Sequence, residues 1–409
     1  MDRTIPFYMN TDFGDINAFN LVLGTDCNMG CRHCSQRPVR KASDGVAEID
    51  SKVFRLLRNF MMYSHDTASA RRKPNQIVFW GGEPLLYWDT AKDLLLRLEK
   101  ETGLKSGDGF VFSMTTNGLL LTQDKVDFIN DHGMKVGISY EAPYPFAVRG
   151  YVPDTACALA DRIDNLSVTA NCGTRYNCDP LLAYRCLVKK FPRAKSYDIY
   201  ERLYCTFGMP ADIYGYDWAE VSDNYRKLRI AAQLGDGFAM DKLLGYFRKM
   251  SDSRHVIDDI PPRERILRCP FCGTEFAVTL DGKVSFCSNG NLFFSTVADA
   301  FDDIAERNAR YGKSIVSAGC DACRHNDICW KQCSLSMRDA QGRFLMCDRQ
   351  LLPLYDIIKG QLLKLSEPLA ESDREWYAKQ EKLMASRVEA FLLEGERYKM
   401  EGTGVPKDA

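Results

Sequence analysis

The sequence predicts an α/β protein: six strand–helix units forming a parallel sheet, then a cysteine-rich region, then C-terminal helices. Three observations predict it. Apolar strand-like runs alternate with segments whose apolar residues recur at helical spacing. The turns that carry unusual residues all follow strands. The 16 cysteines are partitioned, with three at positions 27, 31 and 34 and eight in the C-terminal third.

The 409 residues leave room for two or three domains and a large core. The net charge of −1 gives no electrostatic case for nucleic acid or an anionic membrane, and neither is expected as a partner. No apolar run is long enough to span a bilayer. The opening Met-Asp-Arg-Thr-Ile-Pro-Phe-Tyr lacks the apolar core of a signal peptide, so a cytoplasmic location and metal or redox use of the cysteines are expected.

Residues 1–16 form a short lead-in, and a barrel-forming region is expected over 17–245. Phe19 to Gly24 is the first strand and runs into Cys27-Asn-Met-Gly-Cys31-Arg-His-Cys34, a C-x3-C-x2-C loop. Three thiolates on one tight loop can hold three irons of a four-iron, four-sulfur cube and leave the fourth iron open. Zinc sites usually close with four ligands from paired cysteines, and His33 lies between two ligands, poorly placed to fold back. The basic stretch Arg37 to Lys41 reads as a solvated loop. Asp50 caps a helix whose apolar positions are Val53, Leu56, Leu57, Phe60 and Met61.

Gln76 to Trp80 is a buried strand ending in Gly81-Gly82-Glu83-Pro84. Glycines let the backbone approach a ligand closely, and proline fixes the turn into the next helix, Trp88 to Leu98. A third strand, Phe110 to Thr115, ends in Thr116-Asn117-Gly118; a helix follows at Thr122 to His132. The fourth strand, Lys135 to Ser139, leads into Tyr140-Glu141-Ala142-Pro143. Strands are also expected at Leu166–Thr169 and Tyr197–Leu203, with helices opened by Asp179-Pro180 and spanning Asp217–Leu234.

Residues 246–268 read as a bridge and 269–350 as the cysteine-rich domain. The segment Phe276 to Phe286 alternates around Asp281-Gly282 and predicts a hairpin that returns Cys287 toward Cys269 and Cys272. Residues 351–409 are expected to be helices and a tail, with Ser372-x-x-Glu375 as a capping box. Trp376, Leu383, Met384, Val388, Phe391 and Leu392 make one apolar stripe. The five remaining cysteines read as small buried hydrophobes, although Cys172 and Cys178 flank a strand end where a hydrogen-atom or proton donor could act.

The cysteine loop resembles the signature of the radical S-adenosylmethionine (radical SAM) enzymes. His33 fills the place where an aromatic residue usually precedes the third cysteine, and Gly81-Gly82-Glu83-Pro84 resembles the family's GGEP motif. The resemblance implies a partial (β/α)6 TIM-like barrel with active residues at the C-terminal ends of the strands. It implies a [4Fe–4S] cluster on Cys27, Cys31 and Cys34, whose open iron chelates SAM. Gly81, Gly82 and Glu83 would hold the methionine amino group, and Ser139 would lie near the ribose. Relatives commonly read Ser-Leu-Asp-Gly-Pro at that strand end; Tyr140, Glu141 and Ala142 depart from the pattern.

The C-terminal block resembles the SPASM extension of a subset of these enzymes. Cys272-x9-Gly282-x4-Cys287, Cys320-x2-Cys323-x5-Cys329-x3-Cys333 and the last cysteine, Cys347, match its pattern. The resemblance implies two auxiliary [4Fe–4S] clusters, three in all. One takes Cys272, Cys287 and Cys333 with Cys269 as fourth ligand; the other takes Cys320, Cys323, Cys329 and Cys347. Without Cys269 the first would have an open iron able to bind substrate. Read from spacing alone, the block is also compatible with a pair of zinc sites.

SPASM members mostly modify peptides, so the resemblance implies a maturase that installs a crosslink, thioether or side-chain oxidation. Its partners would be a peptide substrate, with or without a separate recognition protein, and a flavodoxin- or ferredoxin-type electron donor. Sulfatase-maturing members carry an aspartate after the cysteine matching Cys287; Ser288 stands there, which argues against formylglycine formation and leaves the catalytic base unassigned. The competing readings are a small-molecule dehydrogenase or rearrangement enzyme and a zinc-bound, non-enzymatic scaffold.

Overall fold

The computed structural model describes residues 17–34, 48–70, 73–143, 149–150, 152–172, 177–200, 216–246, 275–285, 295–296 and 352–401. Six parallel strands form the open sheet of a partial barrel: β1 (Ala18–Gly24), β2 (Asn75–Gly81), β3 (Phe110–Thr116), β4 (Lys135–Ser139), β5 (Leu166–Asn171) and β6 (Ser196–Tyr200). Each pairs with its sequence neighbour, so the chain steps along the sheet without reversing.

Helices return the chain between strands: α1 (Ser51–Asp66), α2 (Trp88–Thr102), α3 (Gln123–Asp131), α4 (Asp154–Ala160), α5 (Pro180–Lys190) and α6 (Trp218–Gln233). Their starts follow the expected chemistry. The Asp50 side chain accepts from Lys52 N, and Asp179 accepts from Leu182 N ahead of Pro180. Helix α4 had no counterpart in the sequence reading. Its buried residues, Ala156, Cys157 and Ala160, are too small to make a periodic signal.

The core lies between sheet and helices. Phe79 and Phe112 stack at 5.9 Å on adjacent strands, and Phe60 of α1 meets Phe19 of β1 at 4.5 Å. Burying a ring such as Phe60 contributes roughly 2–3 kcal/mol. Asn75 is buried at the start of β2 and donates to Ser64 Oγ at 2.8 Å, which satisfies its amide inside the core.

The hairpin expected around Asp281-Gly282 is present as β7 (Glu275–Thr279) and β8 (Lys283–Ser285), with β9 (Ser295–Thr296) beyond it. Its position was not legible: β7 pairs in parallel with β1, so among the described residues the hairpin extends the barrel sheet to nine strands. Ala277 and Val278 are both buried, as befits a strand covered on two faces. Asp50 N donates to Leu280 O at 2.8 Å and ties the start of α1 to the hairpin turn.

Two C-terminal helices, α7 (Leu352–Leu363) and α8 (Glu371–Glu401), pack on α5 and α6. The capping box at Ser372 does not form. Asp373 N and Arg374 N both donate to Ala370 O, so the helix has begun before Ser372. Asp373 instead takes Arg226 and Arg229, and Arg226 also lies 4.2 Å over the Trp376 ring. Met384, Val388 and Phe391 are buried as expected, but Leu383 is exposed and Tyr377 takes its place in the stripe. No helix among the described residues is long and apolar enough to cross a membrane.

Candidate active site

Parallel pairing gathers the strand ends that carry the motifs at one rim. There the cysteine loop leaves β1 at Gly24. Cys31 is buried, Cys27 and Cys34 are half-buried, and none of the three is in a disulfide. Cys34 N donates to Cys31 O at 3.3 Å and closes a tight turn between them.

The loop is fastened to three neighbouring elements. Gly82 N donates to Gly24 O at 3.0 Å and Glu83 N to Asp26 O at 2.8 Å. The Tyr87 hydroxyl accepts from Asp26 N at 3.1 Å, and the Asn117 amide donates to Asn28 Oδ1 at 2.8 Å. The glycines make this contact feasible. A Cβ on Gly82 would stand 2.1 Å from Asp26 O, and one on Gly81, whose φ is +146°, would stand 2.2 Å from Gly24 O. A Cβ on Gly24 would meet the Tyr87 ring at 2.1 Å. The sequence pointed to a close approach between this turn and a ligand; the approach found here is to the cysteine loop.

Glu83 is 1% exposed and serves as a hub. Its Oε1 accepts from Leu85 N and Thr116 Oγ1, and its Oε2 accepts from Asn117 N at 2.8 Å. The carboxylate thereby joins the ends of β2 and β3. Burial pushes its pKa above the usual value, although the hydrogen bonds oppose the rise. Pro84 opens a short 3-10 turn, Pro84–Tyr87, that delivers Tyr87 beneath the loop. Ser139 closes β4 at the same rim and is half-buried.

His33 reaches the end of β4. Its Nε2 lies 3.4 Å from Glu141 Oε1 and 3.5 Å from Arg149 Nη2. Arg149 also pairs with Glu141 at 3.5 Å, and Glu141 Oε2 accepts from Asn171 N at 2.9 Å at the end of β5. Glu141, which the sequence showed only as a departure from a familiar pattern, is thus a buried carboxylate facing the loop. Asn117, Tyr87 and Arg149 were not foreseen as site residues. Asn117 had a signal in its Thr-Asn-Gly strand end, whereas Arg149 had none.

Cys172 and Cys178 lie beyond the same strand end, where Cys172 Sγ contacts Asn177 Oδ1 at 3.4 Å and Asn224 Nδ2 contacts Cys178 Sγ at 3.4 Å. Burial pushes the Cys178 thiol up to about 12, so it stays protonated. Cys157 and Cys186 are pushed equally high by burial and behave as small hydrophobes. Cys269, Cys272, Cys287, Cys320, Cys323, Cys329, Cys333 and Cys347 all lie outside the described residues.

The donor chemistry of the loop fits a cluster: three unbridged thiols on one turn, held in a cradle that Cβ atoms would fill. Among the described residues no three Cys, His, Asp or Glu side chains are grouped to hold a single metal ion. A cube takes one thiolate per iron, so its ligands need not converge on one centre.

The sequence also has relatives. Residues 21–174 match the family model described as the Radical SAM superfamily. Over 159 residues the chain is 27% identical to the radical SAM cyclopropyl synthase TigE of Paramaledivibacter caminithermalis, a match covering 37% of this chain and 32% of that relative. The fold is similar to native anSMEcpe with bound AdoMet (TM-score 0.56, 16% identity, 86% of this chain and 100% of that one). It is also similar to Streptococcus suis SuiB bound to precursor peptide SuiA (TM-score 0.50, 14% identity, 80% and 76%). At these identities the likeness is one of fold. A radical SAM domain implies a [4Fe–4S] cluster and SAM, and the cysteine loop and its cradle fall within the matched span. Residues 21–174, which carry the cysteine loop and its cradle, are thus the part of this chain that is similar to the Radical SAM superfamily.

Proposed function

We propose that the chain is a radical SAM enzyme that modifies a peptide, with two SPASM-type auxiliary clusters on the eight C-terminal cysteines. The observation that carries the reading is the loop of three cysteines, none in a disulfide, fastened to the glycine turn of β2. When bound, the cluster supplies one electron to SAM, releasing methionine and a 5′-deoxyadenosyl radical that removes a hydrogen atom from the substrate.

The chain's own residues do the positioning. Cys27, Cys31 and Cys34 hold three irons. Asp26, Asn28 and Gly24, gripped by Tyr87, Asn117 and the glycine turn, fix the loop that would hold the cluster. The backbone at Gly81, Gly82 and Glu83 would hold the methionine amino group, and Ser139 would lie near the ribose. A peptide is favoured as substrate because SPASM-type cysteine patterns accompany peptide maturases, and because SuiB, similar in fold, is described with a precursor peptide. A separate recognition protein, a flavodoxin- or ferredoxin-type donor and a cytoplasmic setting complete the reading.

The test is anaerobic reconstitution of the whole chain. About twelve irons per chain, in three four-iron clusters, with 5′-deoxyadenosine formed on adding dithionite and SAM, is the expected result. Replacing Cys27, Cys31 and Cys34 together with Ala should remove about four irons and all 5′-deoxyadenosine. Zinc without iron and no SAM cleavage would overturn the reading in favour of a zinc scaffold.

A further inference from the structure

Glu141 and Arg149 form a buried ion pair against the cysteine loop. Their side chains are 2% and 14% exposed, with Nη2 3.5 Å from Oε1. Such a pair is costly to desolvate and adds little stability over an apolar one. It has no evident structural need here, since Asn171 N at 2.9 Å and His33 already approach the same carboxylate. The guanidinium is not held by a full set of hydrogen bonds either, because its Nε is buried with no partner among the described residues.

The pair lies against the loop. A Cβ on Gly150 would lie 3.4 Å from Met29 Cε, so the segment carrying Arg149 rests on the loop between Cys27 and Cys31. Burial opposes the charge on Arg149, yet the negative charges of Cys31, Glu141 and Cys34 hold its pKa above the usual value. On Glu141 burial raises the pKa and Arg149 opposes the rise. Both charges reach the loop: His33, between Cys31 and Cys34, has its Nε2 3.5 Å from Arg149 Nη2 and 3.4 Å from Glu141 Oε1.

We propose that Arg149, positioned by Glu141, sets the reduction potential of the cluster bound at Cys27, Cys31 and Cys34, an inference that rests on the four-iron reading of that loop. Reduction adds one negative charge at the loop. A buried cation against His33, between Cys31 and Cys34, would stabilise that state, and its partner carboxylate would oppose it. The two side chains act with opposite signs, and their balance fixes the driving force for electron entry.

The test is a redox titration followed by electron paramagnetic resonance on the reconstituted whole chain. The N-terminal cluster is identified as the signal that changes on adding SAM. Arg149→Gln should leave about tenfold less reduced cluster at a fixed potential, a shift of about 59 mV downward for a one-electron couple. Arg149→Lys keeps the charge and should stay within about threefold of wild type. Glu141→Gln should move the potential upward, and the double variant should fall between the two singles.

Equal potentials in Arg149→Gln and wild type, or shifts of the same sign in both single variants, would overturn the inference while leaving the enzyme reading intact. Absence of iron from the wild type would overturn both. Should Arg149→Gln not fold, Arg149→Lys and Glu141→Gln still decide: an unmoved potential in Glu141→Gln counts against the inference.

Discussion

The side-chain amide of Asn117 donates to the side-chain carbonyl of Asn28 at 2.8 Å, joining the end of β3 to the middle of the cysteine loop across 89 residues of chain. Asn117 also accepts from Leu119 N and donates its backbone N–H to Glu83, so its side chain has one available orientation. Asn117→Ala should cost roughly 1–3 kcal/mol, because Asn28 and Leu119 both lose a partner in a part-buried site. The expected outcome is a lower urea midpoint and faster loss of iron to a chelator. Unchanged iron release would mean that the loop does not depend on this clamp.

Gly81 and Gly82 make a sharper prediction. Added Cβ atoms would meet backbone oxygens at 2.2 Å and 2.1 Å, and backbone cannot swing aside as a side chain does. Gly81→Ala and Gly82→Ala should therefore each destabilise by more than about 2 kcal/mol, through strain and displacement of the loop. Gly103 is the control. It caps α2 at φ +69° with nothing within 4 Å, so Gly103→Ala should cost only about 1–2 kcal/mol and leave iron binding intact. Thermal unfolding and iron content measured on the three variants separate the two behaviours.

How far the site could be read beforehand follows from the range of each signal. The cysteine loop and Gly81-Gly82-Glu83-Pro84 are contiguous motifs, and the alternation of strands and helices put both at one rim. Asp50, Asp179 and Pro180 announced helix starts because capping is local. The pairing of β7 with β1 spans some 250 residues and leaves no local trace beyond two adjacent buried side chains. The Glu141–Arg149–His33 contact is likewise set by tertiary placement alone, and Ser372 was misread because two arginines on α6 claim the neighbouring Asp373.

Glu83 should show itself in the pH dependence of stability. Burial raises its folded pKa above 4.5, so the unfolded chain releases this proton first as pH rises. Its contribution is fully present below the unfolded pKa and is lost as pH rises through the folded value. Glu83→Gln does not titrate. The unfolding free energy of wild type minus that of the variant should therefore fall as pH rises through the window that opens at the ordinary value of 4.5, by at most about 1.4 kcal/mol per pH unit. A difference that rises over this window would show that hydrogen bonds from Asn117, Thr116 and Leu85 outweigh desolvation.

Asp373 should behave with the opposite sign. Burial alone would raise its pKa, but hydrogen bonds from Arg229 and Arg226 hold it below the usual 3.8. The stability it provides is present above that value and lost as pH falls through the folded one. Arg229 is only 6% exposed, so Asp373→Asn leaves a largely buried cation without its carboxylate. Part of the pair is solvated, with Arg226 34% exposed, so the cost should be about 2 kcal/mol, below that of a fully buried pair. Because Asp373 fastens the first turn of α8 to α6, limited proteolysis should cut the variant ahead of α8 while the barrel resists. Cleavage at an unchanged rate would place the hold on α8 in its apolar stripe, Tyr377, Met384, Val388 and Phe391, and not in the arginine pair.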